Sequence, residues 1–218
     1  MKLLICAILV LLPLSSKVSA EEYFGEFKKE PQFEVISEED GRPKFRLLED
    51  FVFTDPNGLE WTTPKGWEVD GATIPKLAWS LVGGPMSGRY LHASIIHDRY
   101  CDTESRTTHD THRNFYYGMR AKGVDERKAK LMYTAVRLFG PSWKIEKKRV
   151  FRLSPGGDKN SQFRIEKTSS PSLDITDEQL NVALDQINLD RSLDDIDGQL
   201  DETRAKMGLD VIQRNFPE

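Results

Sequence analysis

Hydrophobic positions follow three different patterns along this chain. The first is an unbroken apolar run, Leu3 to Leu12, with Lys2 in front of it. It is too short to span a bilayer comfortably. Pro13 and the serines interrupt it, and Val18-Ser19-Ala20 sets small residues at a cleavage position. That layout predicts a secretory signal peptide over residues 1–20. The second pattern is alternation, the period of a half-buried strand. It covers Gln32 to Ser37, Lys44 to Thr54 with Phe45, Leu47, Phe51 and Phe53, Leu59 to Thr63, and Trp67 to Val69. Glu39-Asp40-Gly41 and Asp55-Pro56-Asn57-Gly58 supply turns between them. A small antiparallel sheet is expected.

The third pattern is helical. Pro75 suits a first helical position, and Gly83-Gly84-Pro85 stops that helix. A second helix is predicted from about Arg89 to Cys101. A third starts at Thr107 or Thr108 and ends at Gly123. A fourth starts near Asp125, carries Ala129, Met132, Val136 and Phe139 on one stripe, and ends at Gly140-Pro141. Strands followed by about four clustered helices make residues 21–153 an α+β body.

Beyond Trp143 the pattern weakens. Lys144 to Arg152 reads as a basic strand, and residues 154–172, rich in Ser, Gly and Pro, as a linker. In the tail, 173–218, Leu189, Leu193, Ile196, Leu200, Thr203 and Met207 recur at spacings of four and three. Such a heptad stripe predicts a helix that self-associates or finds a partner helix through residues 189–207; the alternative is a helix that packs back on the body and covers an apolar patch with the same leucines. A chain covering 21–155 is then expected to fold alone.

Charge sharpens this division. The net charge is −4, yet residues 170–218 alone hold twelve acidic and four basic side chains. The body is nearly neutral and the tail acidic. Neither has the basic excess of a nucleic-acid binder, and no later segment is apolar enough to span a membrane. Removal of the leader takes Cys6 with it and leaves Cys101 as a lone cysteine. No internal disulfide can form. Cys101 is a free thiol, an intermolecular bridge, or a small buried apolar residue, the last being the simplest reading.

The four histidines all fall between 92 and 112. Helical geometry puts His97 on a side with Ala93 and Cys101, and Asp98 towards an apolar face. His112 shares a stripe with Phe115, Tyr116 and Met119, whereas His109 is read as exposed. A short turn makes the second and third helices a hairpin, so His97, Asp98 and His112 can meet between them. Such a group makes a base with its orienting carboxylate. It can equally hold a divalent metal through Asp98 and His112, or form a buried polar network that only pins the hairpin. Asp70, at the end of the last short strand, and Arg106 complete the candidate catalytic set of His97, Asp98, Asp70 and Arg106.

These segments resemble a known family. Trp67 to Pro75 (WEVDGATIP), the Gly-Gly-Pro loop, Ala93 to Cys101 (ASIIHDRYC), Arg106, and His112 to Val124 (HRNFYYGMRAKGV) are similar to the domain-of-unknown-function family 1353 of bacteria and their phages. The resemblance covers about residues 45–143. Asp70, Gly71, Pro75, Trp79, His97, Asp98, Tyr100, Arg106, Phe115 and Gly123 match its pattern. Many members carry Asp where this chain has His112, although both residues coordinate metals. The family name implies a fold and a site but no activity. The order from Gly83 to Tyr100 is also similar to that of secreted phospholipases, in which a histidine activates water and the adjacent Asp helps hold calcium. Those enzymes are disulfide-rich, and this chain is not.

Two functions follow as expectations. One is a secreted or periplasmic hydrolase of the cell envelope, centred on His97 and Asp98 and assisted by a metal. The other is a non-catalytic envelope or phage-derived interaction protein with a structural polar cluster. The leader reading carries its own test. Mass spectrometry of the natively expressed protein should find Glu21 at the N-terminus, and an intact Met1 on a cytoplasmic product would contradict it.

Overall fold

The computed structural model describes residues 22–39, 42–69, 88–153, 159–173, 175–210 and 212–215. The leader, Asp70, the helix expected from Pro75 and the Gly83-Gly84-Pro85 loop lie outside the described residues. In chain order the strands are β1 (Glu26–Phe27), β2 (Phe33–Glu39), β3 (Arg42–Leu47), β4 (Phe51–Thr54), β5 (Glu60–Thr63) and β6 (Glu68–Val69). A 3-10 turn, Gly88–Tyr90, leads into α1 (Leu91–Thr103), α2 (Thr108–Ala121) and α3 (Glu126–Phe139). Then come β7 (Ser142–Leu153), β8 (Lys159–Ser170), α4 (Asp177–Leu184) and α5 (Leu193–Lys206). The architecture is α+β.

The expected single sheet is two three-stranded antiparallel sheets, ordered β1-β4-β5 and β2-β3-β6. The run from Lys44 to Thr54 breaks at residues 48–50, so its halves join different sheets. The β4–β5 turn is closed by the side chain of Asp55. Its Oδ1 accepts from the backbone N–H groups of Asn57 at 2.8 Å and Leu59 at 3.0 Å, and its Oδ2 accepts from Trp61 Nε1 at 3.0 Å. Gly58 supplies the positive φ of +82° that the turn requires. Pairing Phe53 with Trp61 and Phe51 with Thr63 points one face inward. Leu47, Phe51, Phe53, Trp61 and Val69 then bury against Ile95 and Ile96 of α1.

The helices start and stop where their caps dictate. Thr107 caps α2 through its hydroxyl, which accepts from Asp110 N at 3.0 Å, and Gly123 ends the helix with a φ of +72°. Asp125 caps α3 in the same way at 3.1 Å. Phe115, Tyr116 and Met119 of α2 meet Met132, Tyr133, Val136 and Phe139 of α3 in a second core. Among the described residues no helix is long and apolar enough to cross a membrane.

Two C-terminal expectations are corrected. Residues 159–170, read as linker from composition, are strand β8, paired along its whole length with β7. Polar content hid the strand, because a two-stranded hairpin leaves most side chains in water; Phe163 and Ile165 are themselves exposed. The heptad stripe has its partner inside this chain. Ile196 and Leu200 of α5, with Leu180 and Ala183 of α4 and Ile187, complete the α3 core. Arg204 seals the contact by donating to the carbonyls of Arg137 at 3.0 Å and Leu138 at 2.9 Å, satisfying the last carbonyls of α3. The expectation that 21–155 folds alone therefore reverses. A chain ending at residue 155 would uncover this core, and light scattering should show it aggregated. A folded, soluble monomer of that length would contradict the packing.

Candidate functional site

α1 and α2 run antiparallel and approach closely. A Cβ built on Gly118 of α2 would lie 3.0 Å from Ala93 Cβ of α1, so a larger residue there would force the helices apart. One turn further along α1, and on the same face, stand His97 and Cys101. His97 Nε2 lies 2.8 Å from His112 Nδ1 on α2. His112 Nε2 lies 3.1 Å from the Pro141 carbonyl, just before β7. Cys101 Sγ is 3.6 Å from His97 Nε2 and 3.8 Å from its Nδ1. All three residues are buried.

The last acceptor fixes the protons. A carbonyl only accepts, so His112 carries its proton on Nε2 and its Nδ1 is a lone pair. His97 must then donate from Nε2. The chain of donors runs from His97 through His112 to Pro141. Burial drives the His97 value down to about 3 and holds His112 well below the ordinary histidine value. It pushes the Cys101 thiol up, helped by the charges of Asp98, Asp102 and Glu104.

The same geometry forms a set of metal donors. One ligand atom each from His97, Cys101 and His112 lies within 4.8 Å of the others. Tetrahedral zinc with usual bond lengths needs S···N of about 3.5 Å and N···N of about 3.3 Å. The 3.6 Å between Cys101 Sγ and His97 Nε2 already fits, and the imidazoles would separate by about 0.5 Å. The bond from His112 Nε2–H to the Pro141 carbonyl would hold its Nδ1 towards such a metal. A tetrahedral metal held by these three donors would have one position left for water.

The expected residues are placed unequally. His97 and His112 are brought together. Asp98 is buried but does not enter the donor set, where Cys101 stands instead. Helix geometry explains this, since position 101 stacks on 97 and position 98 does not. Arg106 is not one of the donors. Its guanidinium sits 5.4 Å from the Trp61 ring centroid, and its carbonyl accepts from Trp143 Nε1 at 2.7 Å. Asp70 lies outside the described residues.

Residues 45–136 match the family described as "Protein of unknown function (DUF1353)". This segment is similar to DUF1353 domains. The chain is also similar to two proteins of Sinorhizobium fredii (strain NBRC 101917 / NGR234). It is 55% identical to "Uncharacterized protein y4jT" over 138 residues, 63% of this chain and 41% of that protein. It is 46% identical to "Uncharacterized protein y4iH" over 104 residues, 47% of this chain and 44% of that one. The chain thus spans under half the length of these relatives. No solved structure matches it.

The DUF1353 segment holds a second polar cluster, completed from outside. His109, expected to be exposed, is buried. Its Nε2 lies 2.9 Å from Asp197 Oδ2, and its Nδ1 lies 3.3 Å from Asp110 Oδ1. Asp197, on α5, also accepts from Tyr133 and, at 3.1 Å, from Arg113. Arg137 Nε stands 3.5 Å away. Burial would raise the Asp197 carboxyl, but its hydrogen bonds and the Arg137 charge hold it at about 2. Burial would lower His109, and the two carboxylates instead raise it. A signal for Asp197 was present. It falls within the Leu193, Ile196, Leu200 stripe, a position from which a carboxylate must face the body.

These shifts give a pH dependence in metal-free protein. His97 is neutral when folded, and the unfolded chain binds its proton at the ordinary value of 6.5. Its contribution is full above that value and falls as pH drops towards 3, by up to about 1.4 kcal/mol per pH unit. Asp197 adds a loss only from 3.8 down to about 2. His109 acts oppositely, its contribution full below 6.5 and lost as pH rises through its raised value. Urea midpoints should therefore already fall between about pH 6.5 and pH 5, before the carboxylates titrate. A flat midpoint there would contradict a neutral, buried His97.

Proposed function

We propose that the chain is an exported, metal-assisted hydrolase of the cell envelope, with its metal held by His97, Cys101 and His112. The observation that supports it is the convergence of three donor atoms of zinc-binding type within 4.8 Å. A fourth position left to water would mark a catalytic rather than a structural site. A metal there would lower the pKa of bound water and so supply a nucleophile near neutral pH. Burial lowers the basicity of His97, which favours a metal over the imidazole alone as the activator of water. Asp98, buried on the next position of α1, adds negative charge beside the centre. Export rests on the leader-like residues 1–20, and the envelope substrate on export.

A second reading has its own support. All three donors are buried and the hydrogen-bond chain is complete without a metal. The cluster would then pin α1 to α2 and β7 in a non-catalytic interaction protein.

Metal analysis and activity separate them. For the hydrolase, purified protein should carry about one zinc per chain. His97→Ala and His112→Ala should lose the metal together with hydrolysis of phospholipid vesicles or nitrophenyl esters, and Asp98→Asn should lose hydrolysis alone. For the pin, protein incubated with zinc should remain metal-free, and the histidine variants should only melt earlier, by about 1–3 kcal/mol of stability.

A further inference from the structure

A cleft of about 410 Å³ opens between the β4–β5 turn and α2, lined in part by Leu59, His109, Asp110, Arg113, Asn114 and Tyr117. None of the three metal-donor residues lines it. Its size lies in the lower range of small-ligand sites, roughly 300–1,000 Å³.

The cleft's charges are balanced by the protein itself. His109 sits between Asp110 and Asp197. Arg113 pairs with Asp194 at 2.5 Å and with Asp197 at 3.1 Å. Asp55 is fully engaged by three donors of its own turn. No net ion is called for.

One group in the lining is unmet. Asn114 is 3% exposed, and its Oδ1 has no hydrogen-bond partner. A buried acceptor left without a donor costs about 1–3 kcal/mol, so a ligand that donates to it would recover that cost. The neighbouring groups define what would satisfy it. Tyr117 Oη accepts from Arg113 Nε at 3.0 Å, which leaves its own proton to donate. The Asp110 carboxylate stands at the rim, 45% exposed, as a second acceptor. Leu59 is an exposed apolar side chain beside them, 39% accessible. The matching ligand is uncharged, donates to Asn114 and Asp110, accepts from Tyr117, and offers a C–H face to Leu59. Hydroxyls arrayed on a saturated ring meet all four demands.

We propose that this cleft binds a sugar, a neutral polyhydroxylated ring of one or two units, with Asn114 as its buried anchor. The site is independent of metal at His97. Calorimetry on the full-length protein should test chitobiose, maltose and glucose beside acetate, phosphate and glycine. At least one saccharide should bind, and the charged probes should not. Asn114→Leu should weaken saccharide binding by about tenfold or more, about 1.4 kcal/mol, yet melt no lower than the wild type, since it removes an unmet acceptor. Tyr117→Phe, which keeps the ring, should weaken binding several-fold. The proposal is overturned if no saccharide binds, if only the charged probes bind, or if both variants bind saccharide as the wild type does. It is also overturned if Asn114→Leu melts well below the wild type, because Asn114 would then hold the fold and not a ligand.

Discussion

The approach of α1 to α2 is the constraint on which the remaining structure depends. Gly118 permits it, because a side chain there would strike Ala93. At that separation the imidazoles of His97 and His112 come within hydrogen-bonding distance of each other. The other surfaces of the hairpin are then assigned. Ile95 and Ile96 turn towards the two sheets, and Phe115 and Met119 towards α3. Pro141 and Trp143 arrive at the closed end, where Thr108 Oγ1 both accepts from Trp143 N at 2.8 Å and donates to its carbonyl at 2.9 Å. The cluster is therefore a product of helix packing and not of loop placement, which suits a site that must hold geometry.

The second organising feature is a carboxylate that reaches back. Asp197 is fully buried, and a buried charge is stable only when its partners surround it. Those partners, His109, Arg113 and Tyr133, all belong to the DUF1353 segment, although Asp197 lies 88 residues beyond His109. The C-terminal helices are thus part of the body they cover. The same network fixes the rotamers of His109 and Arg113, whose other sides face the cleft. Tail packing and cleft shape are mechanically one unit.

Much of this was legible in the residues. Asp55-Pro56-Asn57-Gly58, Thr107, Gly123 and Asp125 marked turns and caps by local chemistry, and each sits where that chemistry requires. The meeting of His97 with His112 followed from helical stacking and a short connection. The failures share a cause, which is dependence on distant partners. Nothing local distinguishes strand β8 from a polar linker, since its order comes from β7. His109 looked exposed until Asp197 supplied a buried acceptor. Cys101 was read as a small apolar residue. It does pack with Trp143 and Ile145, but its sulfur also faces His97. Position 101 stacks on 97, which is why the sulfur and not the Asp98 carboxylate stands with the two imidazoles.

The proposed metal would sit where hairpin packing brings the Cys101 sulfur to two imidazoles. Cobalt substitution tests it most directly. Metal-free protein titrated with Co²⁺ should develop the visible bands of a tetrahedral ion together with a sulfur-to-cobalt charge-transfer band, saturating at about one equivalent. Cys101→Ser should lose the charge-transfer band while retaining cobalt through the histidines. A wild-type spectrum with no such bands, or one that Cys101→Ser leaves unchanged, would contradict the assembly.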